Sequence, residues 1–228
     1  MNNDLSNEEV EFLLDHFQPE GRPRLFFGRE AELDLVAGIP VAWKAIIAAG
    51  KEKISIALRN MDGVRHVLPK TLKTLRTRLL DVALFTSESK PPSLLYFFRE
   101  GSELMGQRGY PPANDEELGR VPSAVLPLIA DFYCLHNGWV DLFGADGGPL
   151  PIAEWQHIFA DEAGFSHELF TVYANGTHKI GFECLPSGVR IHSLWPEDDS
   201  VQRIDDFWLV MDEEMALNLE DCDPNGQR

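Results

Sequence analysis

The 228-residue chain is predicted to be an α+β protein, with an antiparallel sheet packed against helices in its C-terminal part and a mixed, mainly helical α+β region before it. Three features carry that expectation. Asn175-Gly176 separates two runs rich in β-branched and aromatic residues, the pattern of a tight hairpin. Leu128, Ile129, Phe132, Tyr133 and Leu135 recur at helical spacing behind Pro127. Well ahead of both, Leu72, Leu75 and Leu79 form an apolar stripe opposite Lys70, Lys73, Arg76 and Arg78.

Residues 5–17 open the chain as an amphipathic helix. Val10, Leu13, Leu14 and Phe17 share one face behind a Ser6 cap, and Glu9, three positions on, completes a capping box. Residues 30–49 read as helix, broken at Gly38-Ile39-Pro40 and resumed through Trp43, Ile46 and Ile47 to Gly50. Lys53 to Leu58 alternates weakly and suggests a strand, residues 69–84 a helix, and Ser93 to Phe98 a short strand. From Gly106 to Gly119, glycine, proline and polar residues cluster without an apolar period. A boundary is expected there, between an N-terminal region, 1–115, and an acidic domain, 120–228.

Beyond it, Val125 to Trp139 reads as one complete helix. Pro127 suits the first helical position, where its missing N–H costs nothing, and Asn137-Gly138 supplies a left-handed exit. Trp139 to Phe143 leads into a glycine-rich turn, and Leu150-Pro151 begins a short helix through Trp155 to Phe159. In the hairpin, Leu169 to Tyr173 and Thr177 to Cys184 are the strands. Ile180, Phe182 and Cys184 alternate with Lys179, Gly181 and Glu183, which predicts one buried face. Val189 to Trp195 adds a third strand after the Pro186-Ser187-Gly188 turn. The chain closes with an acidic helix, Asp205 to Leu219, with Trp208, Met211, Met215 and Leu219 at helical spacing; Phe207 to Met211 also fits a strand.

A hydrophobic content of 44% is enough to build a core. No apolar run approaches the ~20 residues that span a bilayer. The first residues lack the basic start and apolar stretch of a secretory signal, so a cytoplasmic protein is expected. Cys134, Cys184 and Cys222 lie too far apart for a metal motif or a disulfide framework; the first two are expected to be buried and the third a free thiol. The charge is lopsided. Residues 1–120 carry 16 Lys and Arg against 18 Asp and Glu, whereas residues 121–228 carry 4 against 19, so nearly all of the net −17 falls on the second part. Such a field repels nucleic acid and anionic membranes and speeds encounter with a basic protein.

The sequence has no His-Glu-x-x-His, Cys-x-x-Cys, Walker loop, Gly-x-Ser-x-Gly or Rossmann glycine pattern, so no metal site, cofactor or catalytic residue is expected. His136 is placed to meet helix-terminal carbonyls. His178 and His192 fall on adjacent predicted strands without a cysteine or acidic ligand at fixed spacing. Gly144 to Gly148 is too short for a phosphate cradle and lacks a following Lys-Ser/Thr. The acidic groups Asp161-Glu162, Glu197-Asp198-Asp199, Asp205-Asp206 and Asp212-Glu213-Glu214 are adjacent pairs and triplets rather than carboxyls opposed across a cleft. They suit a solvated face, or a docking surface for Lys and Arg, better than acid–base chemistry. The basic ridge Lys70 to Arg78 reads as a solvated helix face or as a surface that docks onto the acidic half of its own chain.

Leu126-Pro127, the aromatic pair Phe132-Tyr133 and His136-Asn137-Gly138-Trp139 together resemble the opening of the SUKH superfamily domain, the fold of many bacterial immunity proteins and of a fungal regulator of cell-wall synthesis. Leu150-Pro151 through Trp155, Phe170 to Cys184, and Asp205 to Leu219 are similar to the segments that follow in that family. The resemblance covers about residues 120–223 and leaves the first 115 without a counterpart. It implies an immunity protein that binds and neutralises a cognate toxin from a contact-dependent or type VI-like system, with a basic nuclease domain as the expected partner and no direct contact with nucleic acid or membrane. The interface expected on this reading comprises Trp139, Asp141, Asp146, Asp161, Glu162, Glu197, Asp198, Asp199, Asp205 and Asp206. A non-enzymatic regulatory scaffold that recruits signalling partners is the alternative that the fungal relatives suggest.

Overall fold

The computed structural model describes residues 5–28, 36–143, 147–158 and 167–220. Among them the protein is α+β, with two antiparallel five-stranded sheets and seven α-helices. The first sheet runs in chain order: β1 (Arg24–Phe26), β2 (Asp81–Thr86), β3 (Ser93–Glu100), β4 (Glu103–Gly109) and β5 (Trp139–Asp141). The second comprises β6 (Gln156–Ile158), β7 (Leu169–Ala174), β8 (Lys179–Leu185), β9 (Gly188–Trp195) and β10 (Ser200–Ile204), each paired with its predecessor.

The helices are α1 (Asn7–His16), α2 (Val41–Ala48), α3 (Lys53–Asn60), α4 (Pro69–Arg78), α5 (Asp115–Leu118), α6 (Leu126–Tyr133) and α7 (Phe207–Leu217). Helix α1 starts as its sequence requires: the Ser6 hydroxyl accepts from the Glu9 N–H while the Glu9 carboxylate accepts from the Ser6 N–H, satisfying two orphan donors of the first turn. Pro127 stands in the first turn of α6, and Asp206 caps α7 by accepting from the N–H groups of Trp208 and Leu209.

The first sheet is buried on both faces, which is why β2 and β3 are apolar runs and not alternating patterns. Val82, Leu84, Leu94, Tyr96 and Phe98 point into the main core with residues of α2, α4, α6 and α7 and of the second sheet. Ala83, Phe85, Leu95 and Phe97 point the other way, under Leu13 and Phe17 from α1 and its end. Glu9 ties α1 to β3 through Arg99, whose guanidinium hydrogen bond holds the Glu9 carboxyl down at about 2.

Several expectations are corrected. Lys53 to Leu58 is helix α3, because the Lys53 ammonium is anchored between Asp81, 2.6 Å away, and the Phe27 carbonyl, and a brief alternation cannot outweigh that packing. The helix expected over 69–84 ends at Arg78 and gives way to β2. The expected boundary begins inside a strand: Gly106 and Gly109 belong to β4, where the Leu142 side chain and the His136 ring press so close that a Cβ would collide with them. Strand β4 pairs with β5 from beyond residue 120, and the main core draws on both regions. Helix α6 ends at Tyr133, not at Gly138, and the segment after Pro151 is a single 3₁₀ turn leading into β6. Gly138 does adopt positive φ, +101°, where a Cβ would stand 2.6 Å from the Pro151 nitrogen. Cys134 is exposed, because α6 turns Ile129, Phe132 and Tyr133 inward and leaves Leu128 and Cys134 outside, and Cys184, near the end of β8, is half-buried.

Candidate partner-binding surface

Strands β9 and β10 form a ribbon at the rim of the second sheet. Trp195 and Ser200 pair at its turn, and Ile191 and Ile204 at its far end. Pro196 cannot continue the ladder and opens a 3₁₀ turn that closes on Asp199 in the left-handed conformation, φ +49°. That turn places Glu197, Asp198 and Asp199 in solvent at one end of β10. Asp205 and Asp206 stand exposed at the other end. Between them Ser200, Val201, Gln202 and Arg203 are exposed, and the outer edge of β10 carries no strand among the described residues. The carboxylates of Glu197, Asp198, Asp199 and Asp205 form no ion pair among the described residues, while Asp206 is engaged as the α7 cap.

Other expected interface residues fall elsewhere. Trp139 is 0% exposed, packed against Tyr96 and His136 in the core, because β5 is the strand that joins the C-terminal half to the first sheet. Asp141 is half-buried and accepts from Gln107 Nε2 and from the Phe143 N–H, so it braces the end of β5. Asp146, Asp161 and Glu162 lie outside the described residues. The interface read from the sequence therefore reduces, on described residues, to the acidic ends of β10.

The triplet Asp212-Glu213-Glu214 is consumed internally. Asp212, 2% exposed, accepts from the N–H groups of Lys70 and Thr71 at 2.9 and 2.8 Å, capping α4 from a neighbouring helix. Glu213 pairs with Lys70 at 2.6 Å and raises the Lys70 pKa. Arg78, at the far end of α4, donates to the Leu219 carbonyl. The basic ridge thus docks in part onto the acidic half of its own chain, one of the two readings its sequence allowed.

Glu214 belongs to the arrangement that most resembles catalytic machinery. His178 Nε2 lies 2.9 Å from Ser193 Oγ, and His178 Nδ1 3.8 Å from Glu214 Oε1. The order serine, histidine, carboxylate matches that of a hydrolytic triad. Ser193, however, is 3% exposed in the interior of β9, so its hydroxyl cannot reach a substrate carbonyl. Trp195 stacks on the His178 ring, centroids 4.9 Å apart, and burial lowers the His178 pKa with Glu214 opposing. The cluster fastens the β7–β8 hairpin to α7, with Tyr173 donating to Glu214. Its members are scattered between residues 173 and 214, and no spacing in the sequence announces them.

His192 does not approach His178. Its Nε2 contacts Glu183 at 2.9 Å, so Glu183 is buried and β8 is covered near its centre on both faces, not one. His136 is buried too: Tyr96 hydroxyl and His136 Nε2 are 2.9 Å apart, and the Tyr110 carbonyl lies 3.0 Å from Nδ1. Burial pushes the His136 pKa down to about 4, so the ring is neutral, donating from Nδ1 and accepting at Nε2. Among the described residues no group of three or more His, Cys, Asp or Glu side chains is placed to hold a metal ion, and no helix is long and apolar enough to cross a membrane. Comparisons with protein-family models, with characterised proteins and with solved structures returned no match for this chain.

Proposed function

We propose that this chain is an immunity protein that binds a basic toxin domain, a nuclease effector, and neutralises it by stoichiometric occlusion with no chemistry of its own. The observation that carries this reading is the β10 ribbon: among the described residues, four carboxylates without an ion pair frame an open sheet edge, on the part of the chain that holds 19 acidic residues against 4 basic ones. An open edge offers backbone N–H and C=O groups to an incoming strand, and carboxylates at both ends select a cationic one. A nuclease cleft is cationic because it must hold phosphate, so the ribbon's carboxylates meet there the charges that phosphates would meet. The SUKH-like order of Leu126-Pro127, Phe132-Tyr133 and His136 to Trp139 supports the same reading.

The test is protection. Expression of the cognate nuclease domain should arrest cells, and co-expression of the chain should restore growth through a one-to-one complex. Because exposed charge pairs are screened within about 8 Å at physiological ionic strength, the affinity of that complex should fall steeply from low to high salt. Growth arrest undiminished by the chain rejects the immunity role, and a salt-independent affinity rejects its electrostatic basis.

A further inference from the structure

A second surface lies on the first sheet, far in sequence from the β10 ribbon. A groove of about 780 Å³ runs between α1 and β4, lined by Glu8, Glu9, Phe12, Arg99, Glu103 and Leu104 among others, with Met105 and Phe143 beside them. Its floor is apolar and open to solvent. Phe12 is 55% and Phe143 37% exposed, and their ring centroids are 5.9 Å apart. Two exposed phenylalanines in contact, with a half-buried Leu and Met beside them, form an apolar patch that a solvated monomer does not need.

Strand geometry adds a second feature. Strand β5 pairs with β4 only at Gln107, Arg108 and Gly109, and the Leu142 N–H reaches the Gly106 carbonyl. Residues Glu103 to Met105 pair with β3 on one side and with no strand on the other, among the described residues. Since backbone groups alternate along an antiparallel strand, the N–H and C=O of Leu104, two residues before Gly106, face that open edge. The rim is acidic: Glu8, Glu9 and Glu103 stand against Arg99, which is already bound to Glu9.

We propose that this groove docks an extended, cationic segment of a partner protein by strand addition to β4, seating a bulky apolar side chain on the Phe12–Phe143 pair while its Lys or Arg side chains meet Glu8 and Glu103. This inference does not rest on the immunity reading, and its test needs no toxin. The probe is the acetylated, fluorescein-labelled heptapeptide Lys-Leu-Lys-Phe-Lys-Leu-Lys, titrated against the full chain. The controls are Lys-Ser-Lys-Ser-Lys-Ser-Lys, which keeps the charge without the apolar groups, and Glu-Leu-Glu-Phe-Glu-Leu-Glu, which reverses it.

The first peptide should bind at least about tenfold more tightly than either control, the size expected of one buried apolar anchor. Phe12→Asp should weaken it by a similar factor without altering the thermal midpoint, and so should the paired exposed changes Glu8→Lys and Glu103→Lys. Reversing Glu197, Asp198 and Asp199 should leave it within about twofold, since those side chains stand at the edge of the second sheet and none of them lines the groove. Equal binding by the serine peptide, or binding insensitive to Phe12→Asp, overturns the proposal. Sensitivity to the β10 reversal alone moves the peptide to the ribbon. A chain that sediments as a dimer and becomes monomeric on Phe12→Asp makes a second copy the occupant and overturns it as well.

Discussion

Two acidic triplets of this chain, Asp212-Glu213-Glu214 on α7 and Glu197-Asp198-Asp199 at the β9–β10 turn, look alike in sequence and have opposite fates. The first faces inward and sideways: one carboxylate caps α4, one pairs with Lys70, one meets Tyr173 and His178. The second stands in water with no ion pair among the described residues. The same contrast divides the chain at large. In the first half Glu9 meets Arg99, Glu20 meets Arg108, Asp62 meets Arg76 and Asp81 meets Lys53. In the second half the cations are too few to do this. Net charge therefore overstates how much acid faces a partner, and only the carboxylates left over after internal pairing can steer one.

Substitutions can break or sharpen this contrast. The largest effect belongs to Trp139, expected from sequence at the interface and found in the core: Trp139→Ala should cost about 3–5 kcal/mol by removing a fully buried aromatic, measured by urea unfolding. A loss below 1 kcal/mol would return Trp139 to the surface. Next comes acid. His136 stays neutral when folded down to about pH 4, whereas in the unfolded chain it takes a proton near 6.5. The unfolded state thus binds the proton first, and stability present above pH 6.5 is lost as pH falls towards 4, by about 3 kcal/mol at most from this group. His178, also lowered by burial, adds loss of the same sign. A stability profile flat between pH 6.5 and 4.5 contradicts the burial of both rings.

Asp212→Ala should cost about 2 kcal/mol, because two N–H groups of the α4 start lose a charged acceptor in a buried place. The smallest effect on stability is expected at the other triplet. Glu197→Lys, Asp198→Lys and Asp199→Lys together should move the unfolding free energy by no more than about 0.5 kcal/mol, as surface changes do. A large loss there would mean that the turn carries contacts like those of α7.

Local signals were legible where chemistry is local. Ser6 with Glu9, Pro127 at a helix start and the Asn175-Gly176 turn each act within a few residues, and each is found in place. The turn uses the Asn175 side chain, which accepts from the N–H groups of Thr177 and His178. Signals that depend on distant partners were not legible. Gly106 and Gly109 read as loop because glycine marks both turns and close approach, and only the fold reveals Leu142 and His136 pressing on them. Asp212 caps a helix that begins more than 140 positions earlier in the chain, and Ser193, His178 and Glu214 meet through three separate elements. The exposed acidic face was half legible: its composition lay in the sequence, but which carboxylates face water depended on which ones the fold had already paired.

The most direct measurement compares the affinity of the wild-type chain and of the Glu197→Lys, Asp198→Lys, Asp199→Lys variant for the basic nuclease domain proposed as its partner, at the same salt. Charge pairs at an interface contribute enough that losing three should weaken capture by at least about a hundredfold while the variant unfolds like wild type. Undiminished capture by the folded variant would contradict the claim that carboxylates left unpaired by the fold are the ones that hold the partner.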